Sequence, residues 1–243
     1  MIKIWHIYNN SKFIINGSNI INFDVNNDNL QNYNINNLNK YLNEYVGFYY
    51  VWKNKIKSDI IGFSHNKYVF NNIDIERINN YQIQVYEIYQ TTTYNIYEDI
   101  NYIGLGYFCN NIIDYIKTYY YDHYKDCINI LFNPDNDNKL KPIRNTFICK
   151  WEIFDNLMIF INGFLEKLLN KEIYNLNNNE LELIISKFND LQWNQRIQYF
   201  NFMNIKEFKG DFFGYPRNIA YLIEYLVEIY FLTFYKNKYF LYD

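Results

Sequence analysis

Hydrophobic and polar positions change period along this chain, and the changes mark its elements. Residues 2–8 alternate and carry Ile and Trp, which predicts a first strand. Residues 11–24 predict one or two short strands around Gly17-Ser18, followed by a polar loop to Tyr33. From Leu38 the period becomes helical: Leu38, Tyr41, Leu42, Tyr45, Tyr49 and Trp52 share one face. Asn34 and Asn36 precede that face, where a side-chain oxygen can cap the first free N–H groups. The run Ile60-Ile61-Gly62-Phe63 predicts a buried strand that delivers His65 and Lys67 at its end. Residues 71–80 read as loop, and residues 82–89 alternate strictly, the best strand signal in the chain.

Further along, residues 107–124 predict a helix with Phe108, Ile112, Tyr115 and Tyr119 on one face. Ile128 to Phe132 is a short apolar run, and Thr146 to Cys149 predicts another strand. Helices are predicted over 151–170, 178–200 and 217–235. Strands interleaved with helices predict an α/β fold, a mixed sheet flanked by helices with a helical C-terminal part, and no linker divides residues 1–243.

Charge and composition narrow the partners. Twenty-three Lys plus Arg against 26 Asp plus Glu give a net charge of −3, without the concentrated positive surface that nucleic acid requires. Aromatics reach 21%, with 28 Tyr, which suits sugar stacking and ordinary half-buried packing alike. Abundant Asn, Ile, Lys and Tyr read as the coding bias of an AT-rich genome, so the Asn runs are discounted as chemistry. Cys109, Cys127 and Cys149 are odd in number and lack CxxC spacing, which predicts a reduced, cytoplasmic setting. The stretch MIKIWHIYNN lacks a signal peptide's long apolar core and small-residue cleavage site, and Glu224 and Glu228 interrupt the most apolar segment, so neither a signal peptide nor a transmembrane segment is expected.

Four groups are candidates for chemistry. His65 and Lys67 form either a cationic lip for an anion or a strand end with a solvated lysine. Glu44 flanks the apolar stripe and is either solvated or paired with Lys40, while Lys53 and Asn54 close the same helix. Arg217, Glu224 and Glu228 fall on one helical face, as a cleft wall or as a structural ion pair. Asp135 and Asp137 form a D-x-D in a loop rich in Asn, readable as a site for Mn or Mg or as plain surface. His6 and His123 stand alone, and no G-x-S-x-G, P-loop or H-E-x-x-H is present.

The block from 34 to 70 resembles a glycosyltransferase-like family of capsular and exopolysaccharide gene sets, catalogued as a domain of unknown function. Its hallmark runs N-I-S-x-x-N, E-L-T-x-x-Y-W-x-W-K-N and G-L-x-H-Y-R-R-Y-F. Asn34, Ile35, Asn39, Glu44, Tyr49, Trp52, Lys53, Asn54, Gly62, His65 and Phe70 match it in register. Asn145-Thr146-Phe147-Ile148 and Arg217 with Glu224 and Leu226 echo it later. The family's Y-R-R reads Asn66-Lys67-Tyr68 here.

The resemblance implies a GT-A-like, nucleotide-sugar-binding fold and transfer of a sugar from a nucleotide-sugar donor to a glycan acceptor, in surface polysaccharide or glycoprotein assembly. It implies a donor-binding half over 1–90, with Asn34, Asn39, Glu44, Lys53, Asn54, His65 and Lys67 at the donor. The helix-rich half over 91–243 would face the acceptor, with Glu224 and Arg217 catalytic. It also implies metal independence, with Asp135 and Asp137 as the alternative site for a divalent ion. The rival expectation, from the altered Asn66-Lys67-Tyr68, is an inactive protein of this fold that binds glycans or serves as a scaffold.

Overall fold

The alternation at the start of the chain becomes strand β1 (Ile2–Tyr8), and its two faces serve two cores. Trp5 and Ile7 join a large core on one side of the sheet, and Ile4 joins a small one on the other. The computed structural model describes residues 1–8, 16–27, 33, 35–65, 70, 72–90, 96–97, 100, 105–132, 140–177, 179–184, 186–188, 191, 194, 198, 218–235 and 238–241.

Beside β1 stand β2 (Ile20–Asp24), β3 (Ile60–His65), β4 (Ile83–Gln90), β5 (Leu140–Lys150) and β6 (Tyr239–Leu241), in the order β2-β1-β3-β5-β4-β6. β1 is parallel to β2 and β3, and β6 is parallel to β4. β5 alone is reversed, antiparallel to both β3 and β4. The other five strands therefore end along one edge. There Tyr8 pairs in register with Asp24, and Ile7 with His65.

The predicted helix from Leu38 to Trp52 is interrupted. A 3-10 turn at Asn36–Leu38 leads into α1 (Asn39–Leu42), and α2 spans Tyr45–Lys53. Asn43 separates the two with φ at 51° and ψ at −131°, a break from helical backbone geometry. Asn36 caps no N–H group. Its side-chain amide instead donates to the carbonyls of Asn27 at 3.1 Å and Asp24 at 3.4 Å, tying this turn to the end of β2.

α2 lies on the large-core face. Gly47 makes this approach possible, because a Cβ there would meet Ile7 Cδ1 at 2.6 Å. Phe48 packs on Phe63 with ring centres 4.4 Å apart. α4 (Tyr107–Tyr119), α5 (Tyr124–Phe132), α6 (Trp151–Leu169) and α7 (Asn218–Phe234) build outwards from the same face. Phe154 of α6 reaches Phe63 at 4.8 Å, and Phe231 of α7 reaches Phe147 at 5.1 Å.

The other face carries α3 (Ile75–Asn79), inside the stretch expected to be loop. Asp74 caps it by accepting from the Arg77 N–H, and Ile78 is buried in the small core. Ile128 to Phe132 belongs to helix α5, and residues 179–184 are helical as expected.

Candidate functional site

The carboxyl ends of β1, β2 and β3 define the candidate site, as open α/β sheets place ligands outside that edge. α2 starts beside it, since its first turn covers Ile7, and then descends towards the chain segment 57–59 at the opposite edge. Glu44, immediately before α2, is only 7% exposed and accepts a hydrogen bond from the Asn43 side-chain amide. α1 packs against α7, so the beginning of α7 borders the same edge. Glu224 is half-buried on that helix, and Glu228, one turn further, is 1% exposed.

Two amide oxygens add to this group. Asn39 Oδ1 on α1 and Asn145 Oδ1 on β5 are buried and accept no hydrogen bond among the described residues. Burying an amide acceptor without a donor is costly, so each oxygen marks a point where a polar partner would be stabilising. The set of carboxylates and amide oxygens is rich in acceptors, which suits the hydroxyl groups of a sugar.

The expected site residues divide accordingly. Asn39, Glu44 and the backbone end of β3 at His65 lie at the carboxyl edge, and Glu224 lies on α7, which packs against α1. Asn34, Lys67, Asp135, Asp137 and Arg217 lie outside the described residues. Lys53 and Asn54 are not brought to this edge, because the helix that carries them runs away from it.

Lys53 is held locally by an ion pair with Glu172 and lies over the rings of Trp52 at 5.5 Å and Tyr33 at 5.6 Å. Asn54 donates its side-chain amide to the carbonyls of Tyr50 at 2.9 Å and Tyr33 at 3.2 Å. Burial and the nearby Glu172 carboxylate raise the Tyr49 hydroxyl above its ordinary pKa.

His6 does not stand alone. It is fully buried, with Nδ1 3.0 Å from Ser64 Oγ, one residue short of the strand end. The partners are 58 residues apart, and only the parallel register of β1 and β3 joins them, so the sequence carries no signal for the pair. Asn145 was legible only as part of the N-x-F-I echo.

Size does not locate the site. A cleft of about 470 Å³ opens at the opposite, amino edge, between Met1, Lys57, Asp59, Lys150 and Glu152. Among the described residues no cluster of three or more acidic, His or Cys side chains is arranged to hold a metal. None of their helices is long and apolar enough to cross a membrane.

No protein-family profile and no curated protein matches the sequence. A solved structure does: the apo form of the WbbM bifunctional glycosyltransferase, with a TM-score of 0.54 and 17% identity. The match covers 82% of this chain and 43% of that one, so this chain corresponds to less than half of the larger protein. The likeness is one of fold: the chain has an α/β, GT-A-like fold with a mixed sheet and flanking helices.

Proposed function

We propose that the protein is a glycosyltransferase that moves a sugar from a nucleotide-sugar donor to a glycan acceptor. The observation that carries this reading is the meeting of three parallel strand ends with Glu44, Asn39, Asn145 and the start of α7 at one edge of a glycosyltransferase-like fold. In this reading the donor diphosphate lies across the ends of β1 and β3, with His65 and Lys67 supplying the positive charge. Asn34, Asn39 and Glu44 orient the donor by hydrogen bonds. Glu224 is the general base or orienting carboxylate for the acceptor hydroxyl, and Arg217 opposes the developing negative charge.

The rate enhancement then comes from positioning and from charge stabilisation on the leaving diphosphate. Protein cations carry that charge; a divalent ion on Asp135 and Asp137 is the alternative, and activity after chelation separates the two. The setting proposed is cytoplasmic assembly of a surface polysaccharide or glycoprotein, with residues 1–90 dominating donor contacts and 91–243 acceptor contacts.

A thermal-shift screen with nucleoside diphosphates and nucleotide sugars tests the reading. A ligand at a hundred times its Kd stabilises the folded state by about 2.7 kcal/mol. Glu224→Gln is expected to lose turnover while keeping donor binding and melting temperature. Absence of any nucleotide binding would overturn the proposal.

The second reading is a non-catalytic glycan-binding protein of the same fold, favoured by Asn66-Lys67-Tyr68 where the resembling family has Y-R-R. Lysine keeps a charge but loses the bidentate fork of arginine. Glycan binding without nucleotide binding selects this reading.

A further inference from the structure

α4 and α6 meet through the side chain of Tyr115. At Gly163 an added Cβ would overlap Tyr115 Oη, so the glycine makes room for the tyrosine ring between the helices. Tyr115 also packs against Phe160 and Phe164, each with ring centres 5.6 Å apart. Beside that contact, towards the start of α4 and the end of α6, lies a groove of about 270 Å³.

The groove has an aromatic wall and polar rims. Tyr107 is 46% exposed, and its ring stands edge-on to Phe108, which in turn meets Phe188 at 5.0 Å. Phe164 and Phe188 line the groove with Tyr107. Asn111 and Asp114 line it from α4, and Lys167 lines it from α6. An amide, a carboxylate and an ammonium thus share the groove with the exposed ring of Tyr107. That combination matches a pyranose, whose C–H face stacks on aromatic carbon while its hydroxyls need both donors and acceptors.

Topology sets the groove at the useful end of the molecule. β5 is the reversed strand, so α6 starts at the amino edge, where Trp151 N–H reaches the Asp59 carbonyl. Its 19 residues rise about 28 Å, which carries Phe164 and Lys167 towards the level of the carboxyl edge.

We infer that this groove is a saccharide subsite that holds one sugar unit of the acceptor glycan away from the point of transfer. The identity of its occupant rests on the glycosyltransferase reading. The groove supplies binding only, and no bond is made or broken in it.

Saturation-transfer NMR on the whole chain tests the inference, with the methyl α- and β-pyranosides of glucose, galactose, mannose and N-acetylglucosamine as probes. At least one is expected to receive saturation, most strongly on the ring protons of a single face. Tyr107→Ala and Asp114→Ala are each expected to weaken that binding at least tenfold, without changing nucleotide-induced stabilisation. Lys167→Ala, at another exposed position, serves if either variant fails to fold. No binding of any glycoside, or binding untouched by all these changes, overturns the subsite. Nucleotide binding that survives such a result leaves the transferase reading standing; glycoside binding in the groove without nucleotide binding removes that reading and keeps the subsite.

Discussion

Tyr45 donates its phenol hydroxyl to Asn162 Oδ1 at 2.7 Å, in a fully buried contact that joins the first residue of α2 to the middle of α6. Asn162 in turn donates to the Met158 carbonyl at 2.7 Å, so its orientation is fixed. Burial raises the Tyr45 hydroxyl well above its ordinary pKa and keeps it a donor. Tyr45→Phe leaves Asn162 Oδ1 buried without its donor, an expected cost of about 1–3 kcal/mol. Denaturant unfolding of Tyr45→Phe, Asn162→Leu and the double variant checks this. The double variant is expected to lose less than the sum of the singles.

Gly47 sets two effects against each other. Alanine in a helix interior is favoured over glycine by about 1 kcal/mol. The added Cβ would, however, sit 2.6 Å from Ile7 Cδ1 and 2.9 Å from its Cγ1, inside a filled core. Overpacking of that kind costs about 1–3 kcal/mol, so Gly47→Ala is expected to lower the melting temperature. A rise would mean that α2 is not seated on β1 at this point.

Lys53 is expected to act as a tether. Its ion pair with Glu172 is half-exposed, and such pairs contribute about 0–1 kcal/mol. Lys53→Met is expected to shift stability by no more than that, and to leave nucleotide affinity within about twofold, the scale of a small fraction of a hydrogen bond. A tenfold loss of affinity would place Lys53 at the donor after all.

Alkaline pH should weaken the fold. Burial pushes the Cys109 and Cys127 thiols up to about 12, and both are free. Their contribution is complete below the unfolded thiol pKa, near 8.5, and falls as pH rises from there towards the folded value. Between those limits the unfolded chain has released protons that the folded chain keeps, so each thiol removes about 1.4 kcal/mol per pH unit. Chemical denaturation at a series of pH values checks the slope, and Cys109→Ala is expected to make it shallower. For the same reason a thiol reagent at neutral pH should label no cysteine until denaturant is added.

Elements with a strong local period were legible in the sequence. β1 and β4 alternate, and α6 and α7 carry broad apolar faces, so composition and spacing alone placed them within a residue or two. The single helix expected through Asn43 was wrong because periodicity does not register a one-residue break when the apolar stripe resumes beyond it. α3 is a single capped turn and β6 three residues long, both too short to show a period. At the site, local pattern could find Glu44 and Glu224 as charges on apolar helices. It could not find the His6–Ser64 pair, whose meeting depends on strand register. Nor could it show that the far end of α2 points away from the strand ends, since helix direction relative to the sheet is a tertiary fact.

The reversed strand also governs how the chain must fold. β5 separates β3 from β4 in the sheet, although it is synthesised about fifty residues after β4. Among the described residues, until Leu140–Lys150 arrives β3 has one open side along Ile60, Ile61 and Phe63, and β4 has no strand partner. Pairing over such sequence distances is slow, and an uncovered apolar strand edge is prone to associate with other chains. A nascent or truncated chain ending near residue 132 is therefore the form of this protein most exposed to aggregation, and a chaperone that shields β3 would act in that interval.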